Sequence, residues 1–137
     1  MAAKLYIAQR SPFARKVRIL LLEKQVAFDL IREDLSARST DFVALSPLVK
    51  VPLFVEEDGE RIFDSTLICE YLEDRYPDPP MFGEGVEERL RHRVCDELAD
   101  TVAEQAIIVH FERGGASEIE KASRLLDRAL DELCRRI

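Results

Sequence analysis

With 137 residues, 47% of them apolar and 34% charged, the chain has the make-up of an ordinary folded protein and the length for one domain and part of a second. A net charge of −7 argues against nucleic-acid or membrane-surface partners, both of which call for a basic face. Cys69, Cys95 and Cys134 suggest buried, reduced thiols with neither disulfide nor zinc. His92 and His110 lack partner ligands at metal spacing, and no apolar run suits a signal peptide or a bilayer span, so a cytoplasmic protein without a metal is expected.

Lys4 to Ala8 is apolar and rich in strand formers, which predicts a first strand buried on both faces. Ser11-Pro12 is a helix start, with serine at the N-cap and proline at the first helical position. Phe13, Val17, Leu20 and Leu21 carry the helix, and Ile19 and Leu22 widen its apolar face. On these grounds alone Ser11 is a structural cap. Val26 to Ile31 alternates and reads as a second strand, parallel to the first because a helix intervenes. Asp34 to Leu45 is weakly helical, with Phe42 and Leu45 as its packing residues. It ends at Ser46-Pro47, since a residue before proline avoids helical angles.

Ser46 to Ser65 is the most informative stretch. Leu53-Phe54-Val55 and Arg61-Ile62-Phe63 flank the turn signal Asp58-Gly59 and predict a β-hairpin. Pro52 stands directly before the first of these strands. That strand is therefore at an edge, or its N–H side there faces something other than a neighbouring strand. A helix begins at about Ser65, carried by Leu67, Ile68, Tyr71, Leu72 and Tyr76, with Asp64 or Ser65 as its N-cap. The free N–H groups of its first turn suit a carboxylate. Pro77 to Pro80 is the expected boundary between domains 1–80 and 81–137.

Beyond it, Val86, Leu90, Val94, Leu98 and Val102 recur at helical spacing until Gly114-Gly115. Ser117 with Glu120 then reads as a capping box opening a helix striped by Ile119, Ala122, Leu126, Ala129, Leu133 and Ile137. The expected architecture is α/β, a mixed four-stranded sheet in the order βαβ-α-ββα, followed by an incomplete all-helical domain. Two antiparallel helices have little apolar surface of their own, and must pack against the first part or another chain.

Ser11-Pro12-Phe13, the run Ser46-Pro47-Leu48-Val49-Lys50-Val51-Pro52, and Asp64-Ser65, in this order and spacing, closely resemble the glutathione transferase family. The resemblance spans residues 4 to 80 and continues less specifically to the end. It implies a thioredoxin-like first domain, a homodimer, and glutathione as co-substrate. It further implies a cis Val51-Pro52 peptide whose Val51 backbone pairs with the cysteinyl part, Asp64 and Ser65 at the γ-glutamyl end, and Lys50 at the glycyl carboxylate. Phe13 would lie among the glutathione-contacting residues and Ser11 at the catalytic position. The activity so implied is conjugation of the glutathione thiolate to small electrophiles, with Ser11 stabilising the thiolate. Serine rather than cysteine at 11 disfavours thiol transfer, because no mixed disulfide can form there. The alternatives are the same fold used as an interaction module, as in stringent-starvation regulators, and a glutathione-dependent isomerase.

Three departures from the family carry expectations of their own. Val49 stands where many members have glycine, so the loop before Lys50 is expected to be set differently, since a β-branched residue resists positive φ. Asp64 is shorter than the usual glutamate or glutamine. The chain also ends at Ile137, short of a full family member, as a fragment or as a short form completed by dimerisation.

Overall fold

The computed structural model describes residues 2–137. In chain order the elements are β1 (Ala3–Ile7), α1 (Pro12–Glu23), β2 (Phe28–Arg32), α2 (Thr40–Leu45), β3 (Leu53–Val55), β4 (Arg61–Phe63), α3 (Ser65–Arg75), α4 (Gly85–His110) and α5 (Ala116–Arg136). They fall into two compact units, Met1–Met81 and Phe82–Ile137.

The first unit is built on one sheet of order β2-β1-β3-β4, in which β1 runs parallel to β2 and antiparallel to β3, and β3 antiparallel to β4. The mixed sheet expected from the sequence is therefore present. β3 is an interior strand, so of the two alternatives drawn from Pro52 the edge position is corrected and the other holds. The proline precedes the first ladder residue, Leu53, and removes no hydrogen bond from the sheet.

Strand alternation divides the core. Tyr6 and Leu53, opposite one another on β1 and β3, share a face with Phe42 of α2, whose ring centroid lies 5.7 Å from that of Tyr6. Leu5 and Phe54 belong to the other face. Val17 and Leu21 of α1 and Ile68 and Leu72 of α3 are fully buried, and the two helices pack together. Each such side chain contributes about 1.5–3 kcal/mol when withdrawn from water. Only Thr40–Leu45 of the weakly helical stretch is helix; the residues before it form a loop in which Glu33 accepts from both the N–H and the hydroxyl of Ser39, the N-cap of α2.

One buried ion pair was not legible in the sequence. Lys24, the C-cap of α1, sends its ammonium inward to Glu73 Oε2 at 2.6 Å and donates to the carbonyls of Tyr76 and Pro79 at 2.6 and 3.0 Å. Glu73 Oε1 accepts from the N–H of Met81 at 2.8 Å. The proline-rich stretch after α3 is thus pinned to the first unit at three points.

Tyr71, on the exit side of the hairpin, donates its hydroxyl to Glu56 Oε1 at 2.9 Å. Burial first, then that hydrogen bond and the charge of Glu56, push its phenol from 10.0 up to about 12. The fold therefore favours the neutral phenol. Its contribution is fully present below pH 10.0 and is lost as pH rises through about 12. In Tyr71→Phe the urea midpoint is expected to fall less steeply than in the parent between those two pH values, and parallel curves would show that Tyr71 is not the group responsible.

In the second unit α4 and α5 form a helical hairpin. Ala122 and Ala129 of α5 are buried, and Val94, Leu98, Val102, Ile119, Leu126 and Leu133 are half-buried, as their stripes predict. Val86, Leu90 and Ile137, placed in the same stripes, are exposed instead. The Ser117–Glu120 capping box is also corrected. α5 starts at Ala116, and it is Glu118 whose carboxylate accepts from the N–H of the N-cap Gly115, at 3.0 Å. Gly114 turns at φ +99°, and a Cβ there would lie 2.1 Å from the same carboxylate, so only glycine lets the cap form. Glu120 pairs with Arg124 on the helix surface. Of the three cysteines, none in a disulfide, only Cys69 is buried; Cys95 is half-buried and Cys134 exposed, because it lies off the Ala122–Ala129 stripe. No helix among the described residues is long and apolar enough to cross a membrane.

Candidate functional site

The strand register brings the three predicted motifs together. Leu53 pairs with Tyr6 on one side and with Phe63 on the other. Just beyond these paired residues, at the same end of the sheet, the chain leaves β1 at Ala8, enters β3 from Val51-Pro52 and leaves β4 for Ser65, a row of strand ends. At about 4.8 Å between strands, the row is roughly 10 Å wide, the reach of an extended tripeptide. Ser11 joins it through a tight turn, its N–H bonding the carbonyl of Ala8 at 3.1 Å. The first turns of α1 and α3 also meet, Lys16 Nζ donating to Thr66 Oγ1 at 3.3 Å.

At the head of α1, Ser11 is the N-cap, with Pro12 behind it in the first turn. Its Oγ accepts from the N–H of Ala14 at 3.1 Å, which uses one lone pair and leaves the hydroxyl hydrogen to donate elsewhere. Phe13 is half-buried beside it.

Before β3 the Val51-Pro52 peptide is cis, as the resemblance implies. The N–H and carbonyl of Val51 have no hydrogen-bond partner among the described residues, and the ammonium of Lys50, on an exposed residue, has none either. Val49 does adopt the left-handed conformation, at φ +51°, so the expectation that valine would reset this loop is corrected. Its side chain packs on the cluster of Tyr6, Phe42 and Leu53, and this burial offsets a backbone strain of about 1–2 kcal/mol. Arg38 donates to its carbonyl.

At the head of α3, Asp64 is the N-cap, also left-handed at φ +70°. One carboxylate oxygen accepts from the N–H groups of Thr66 at 2.9 Å and Leu67 at 3.4 Å. The cap is thus filled by Asp64 alone. Ser65 is 4% exposed, yet neither its hydroxyl nor its N–H bonds to a described residue. The sequence left the choice of cap between Asp64 and Ser65 open; the structure gives it to Asp64. Among the described residues no cluster of three or more His, Cys, Asp or Glu side chains could hold a metal ion.

Taken together, four strands in this order with helices on the sheet, and a row of unpaired main-chain groups at the sheet end beside a capping serine, define a thioredoxin-like protein. The family description "Glutathione S-transferase, N-terminal domain" matches residues 5–80. The chain belongs to the glutathione S-transferase family. It is 36% identical over 136 residues to the GST-like protein YibF of Escherichia coli (strain K12), covering 95% of this chain and 67% of that protein. It is 36% identical over 77 residues, 56% of this chain, to a stringent starvation protein A homolog of Coxiella burnetii, of which it covers 36%. Among solved structures, a glutathione S-transferase of Methylobacterium radiotolerans in complex with glutathione sulfonate superposes with a TM-score of 0.90. The two are 30% identical, and the match covers 98% of this chain and 66% of that one. The chain therefore spans about two thirds of the length of YibF and of the Methylobacterium radiotolerans protein.

Proposed function

We propose that this chain binds glutathione along the row Ser11–Val51–Ser65 and, as part of a cytoplasmic homodimeric glutathione transferase, conjugates it to small electrophiles. The observation that carries the reading is the set of unpaired groups in that row. The N–H and hydroxyl of Ser65 suit the γ-glutamyl carboxylate. Val51 has one donor and one acceptor for the cysteinyl main chain, and Lys50 has a free cation for the glycyl carboxylate. Asp64 faces the γ-glutamyl amine with the carboxylate oxygen that its cap leaves over, Pro52 shapes the floor, and Phe13 borders the thiol end.

Ser11 supplies the chemistry. The nucleophile in conjugation is the thiolate, and a free thiol ionises only partly at neutral pH. With one lone pair of its oxygen engaged by Ala14, Ser11 keeps its hydroxyl hydrogen to donate, and a donor at the positive end of α1 favours charged sulfur over neutral thiol. Titration calorimetry with glutathione tests the binding, and a chloronitroaromatic electrophile tests the transfer. Ser11→Ala is expected to leave glutathione affinity nearly intact and to move the pH midpoint of the rate upward, toward the value of about 8.5 for a free thiol. It should also cost about 1 kcal/mol of stability through the lost cap. An unchanged midpoint would remove Ser11 from the mechanism. The match to the stringent starvation homolog favours a second reading, the fold as an interaction module. A wild type that gives no heat with glutathione supports that reading over the first.

A further inference from the structure

Ser46 stands behind the row, at the C-cap of α2, and is 2% exposed. Every polar atom it carries is in use there. Its N–H donates to the carbonyl of Phe42 at 2.8 Å and its carbonyl accepts from the N–H of Val49 at 3.1 Å. Its hydroxyl accepts from the N–H of Lys50 and donates to the carbonyl of Lys50, both at 3.3 Å. Ending α2 needs only the backbone of Ser46, so the hydroxyl serves something else.

What it serves follows from peptide geometry. Arg38 holds the carbonyl end of the Val49–Lys50 peptide and Ser46 holds its N–H end, so that plane is fixed from both sides. The next peptide, Lys50–Val51, is held at its carbonyl end alone, by Ser46. It is not among the cis bonds, and in a planar trans peptide the C=O and N–H point in opposite directions. Anchoring the Lys50 carbonyl therefore aims the Val51 N–H, which has no partner among the described residues.

We propose that Ser46 is a positioning residue whose buried hydroxyl sets the plane of the Lys50–Val51 peptide, presenting the Val51 N–H to the extended main chain of a thiol tripeptide. The inference rests on the glutathione reading above and adds to it a residue that touches no ligand atom. Ser46 acts before binding, by removing the orientations of this peptide in which the donor points elsewhere.

The test combines glutathione titrations with ¹⁵N amide spectra of the full chain. Ser46→Ala, and Ser46→Cys, which keeps the volume but is a weak hydrogen bonder, are each expected to bind glutathione about tenfold more weakly than wild type. In both variants the Val51 amide should lose its glutathione-induced shift while the Ser65 amide keeps its own, and Ser46→Thr, which retains the hydroxyl, should recover most of the affinity. Unchanged affinity in Ser46→Ala and Ser46→Cys, or equal loss of the shifts at Val51 and Ser65 as general loosening would give, overturns the proposal while leaving the glutathione reading in place. A wild type that does not bind glutathione overturns both.

Discussion

Replacing Lys24 by methionine is expected to lower the unfolding free energy by about 3–5 kcal/mol, the cost of removing one partner of a buried ion pair. Typical domains have only about 5–15 kcal/mol in total, so the loss would be a large part of the whole. The size follows from the surroundings. The side chain of Lys24 is 0% exposed and that of Glu73 6%, and the same ammonium is also the donor for the carbonyls of Tyr76 and Pro79. Methionine restores volume but none of these bonds, and Glu73 keeps a charge that water reaches poorly. Adding Glu73→Met should recover only part of the loss, because the two carbonyls and the N–H of Met81 remain without their partners. Urea unfolding followed by circular dichroism measures both variants. A change below about 1 kcal/mol for Lys24→Met, the range of exposed pairs, would mean that water reaches this site. Hydrogen exchange at the Met81 amide should quicken in the same variants, since the segment after α3 loses its anchors.

Ser65→Ala should weaken glutathione binding by about 1–3 kcal/mol, roughly five- to 150-fold in the dissociation constant, as a charged carboxylate loses a hydroxyl donor. The same substitution is expected to leave the unfolding free energy within about 0.5 kcal/mol of the parent. That second expectation makes the first informative. The hydroxyl bonds to no described residue, and the head of α3 is already capped by Asp64. On the proposed reading the Ser65 hydroxyl binds without also capping the helix. Equal affinity in parent and variant would place the γ-glutamyl end elsewhere, and a marked loss of stability would mean that the hydroxyl has a structural partner after all.

Most of the first unit was legible because its punctuation is local. Ser11-Pro12, Asp58-Gly59 and the proline cluster after Tyr76 act through dihedral preferences of one or two residues, and the elements they bound fall within a residue or two of their expected limits. Motif order then led to the row of Ser11, Val51 and Ser65. What stayed hidden depends on tertiary packing. Lys24 carries no local signal, and its partner lies on α3, 49 positions away and out of reach of any local rule. Val49 was judged by its intrinsic aversion to positive φ, while its contacts with the Tyr6–Phe42–Leu53 cluster decide the outcome. Ser46 was read as the residue before a proline and the first of a motif, with no role for its hydroxyl. In the second unit, periodicity located both helices but the capping motif misplaced the start of α5, since Ser117 and Glu120 fit the Ser-x-x-Glu pattern while the cap in use joins Glu118 to a glycine reached through Gly114.

The sheet order has a last consequence, for self-association of another kind. β2 and β4 are the outer strands, and an outer strand is a template on which a foreign chain can grow a fibril. β4 offers three residues between a tight turn and a helix, too short a rail for a stable graft. β2 has five but places the charges of Asp29 and Arg32 in the open, where a stacked copy would have to bury or oppose them. The protein thus carries a brake on amyloid-like polymerisation at both margins, and Asp29→Val with Arg32→Val is the pair of changes that would release it at β2.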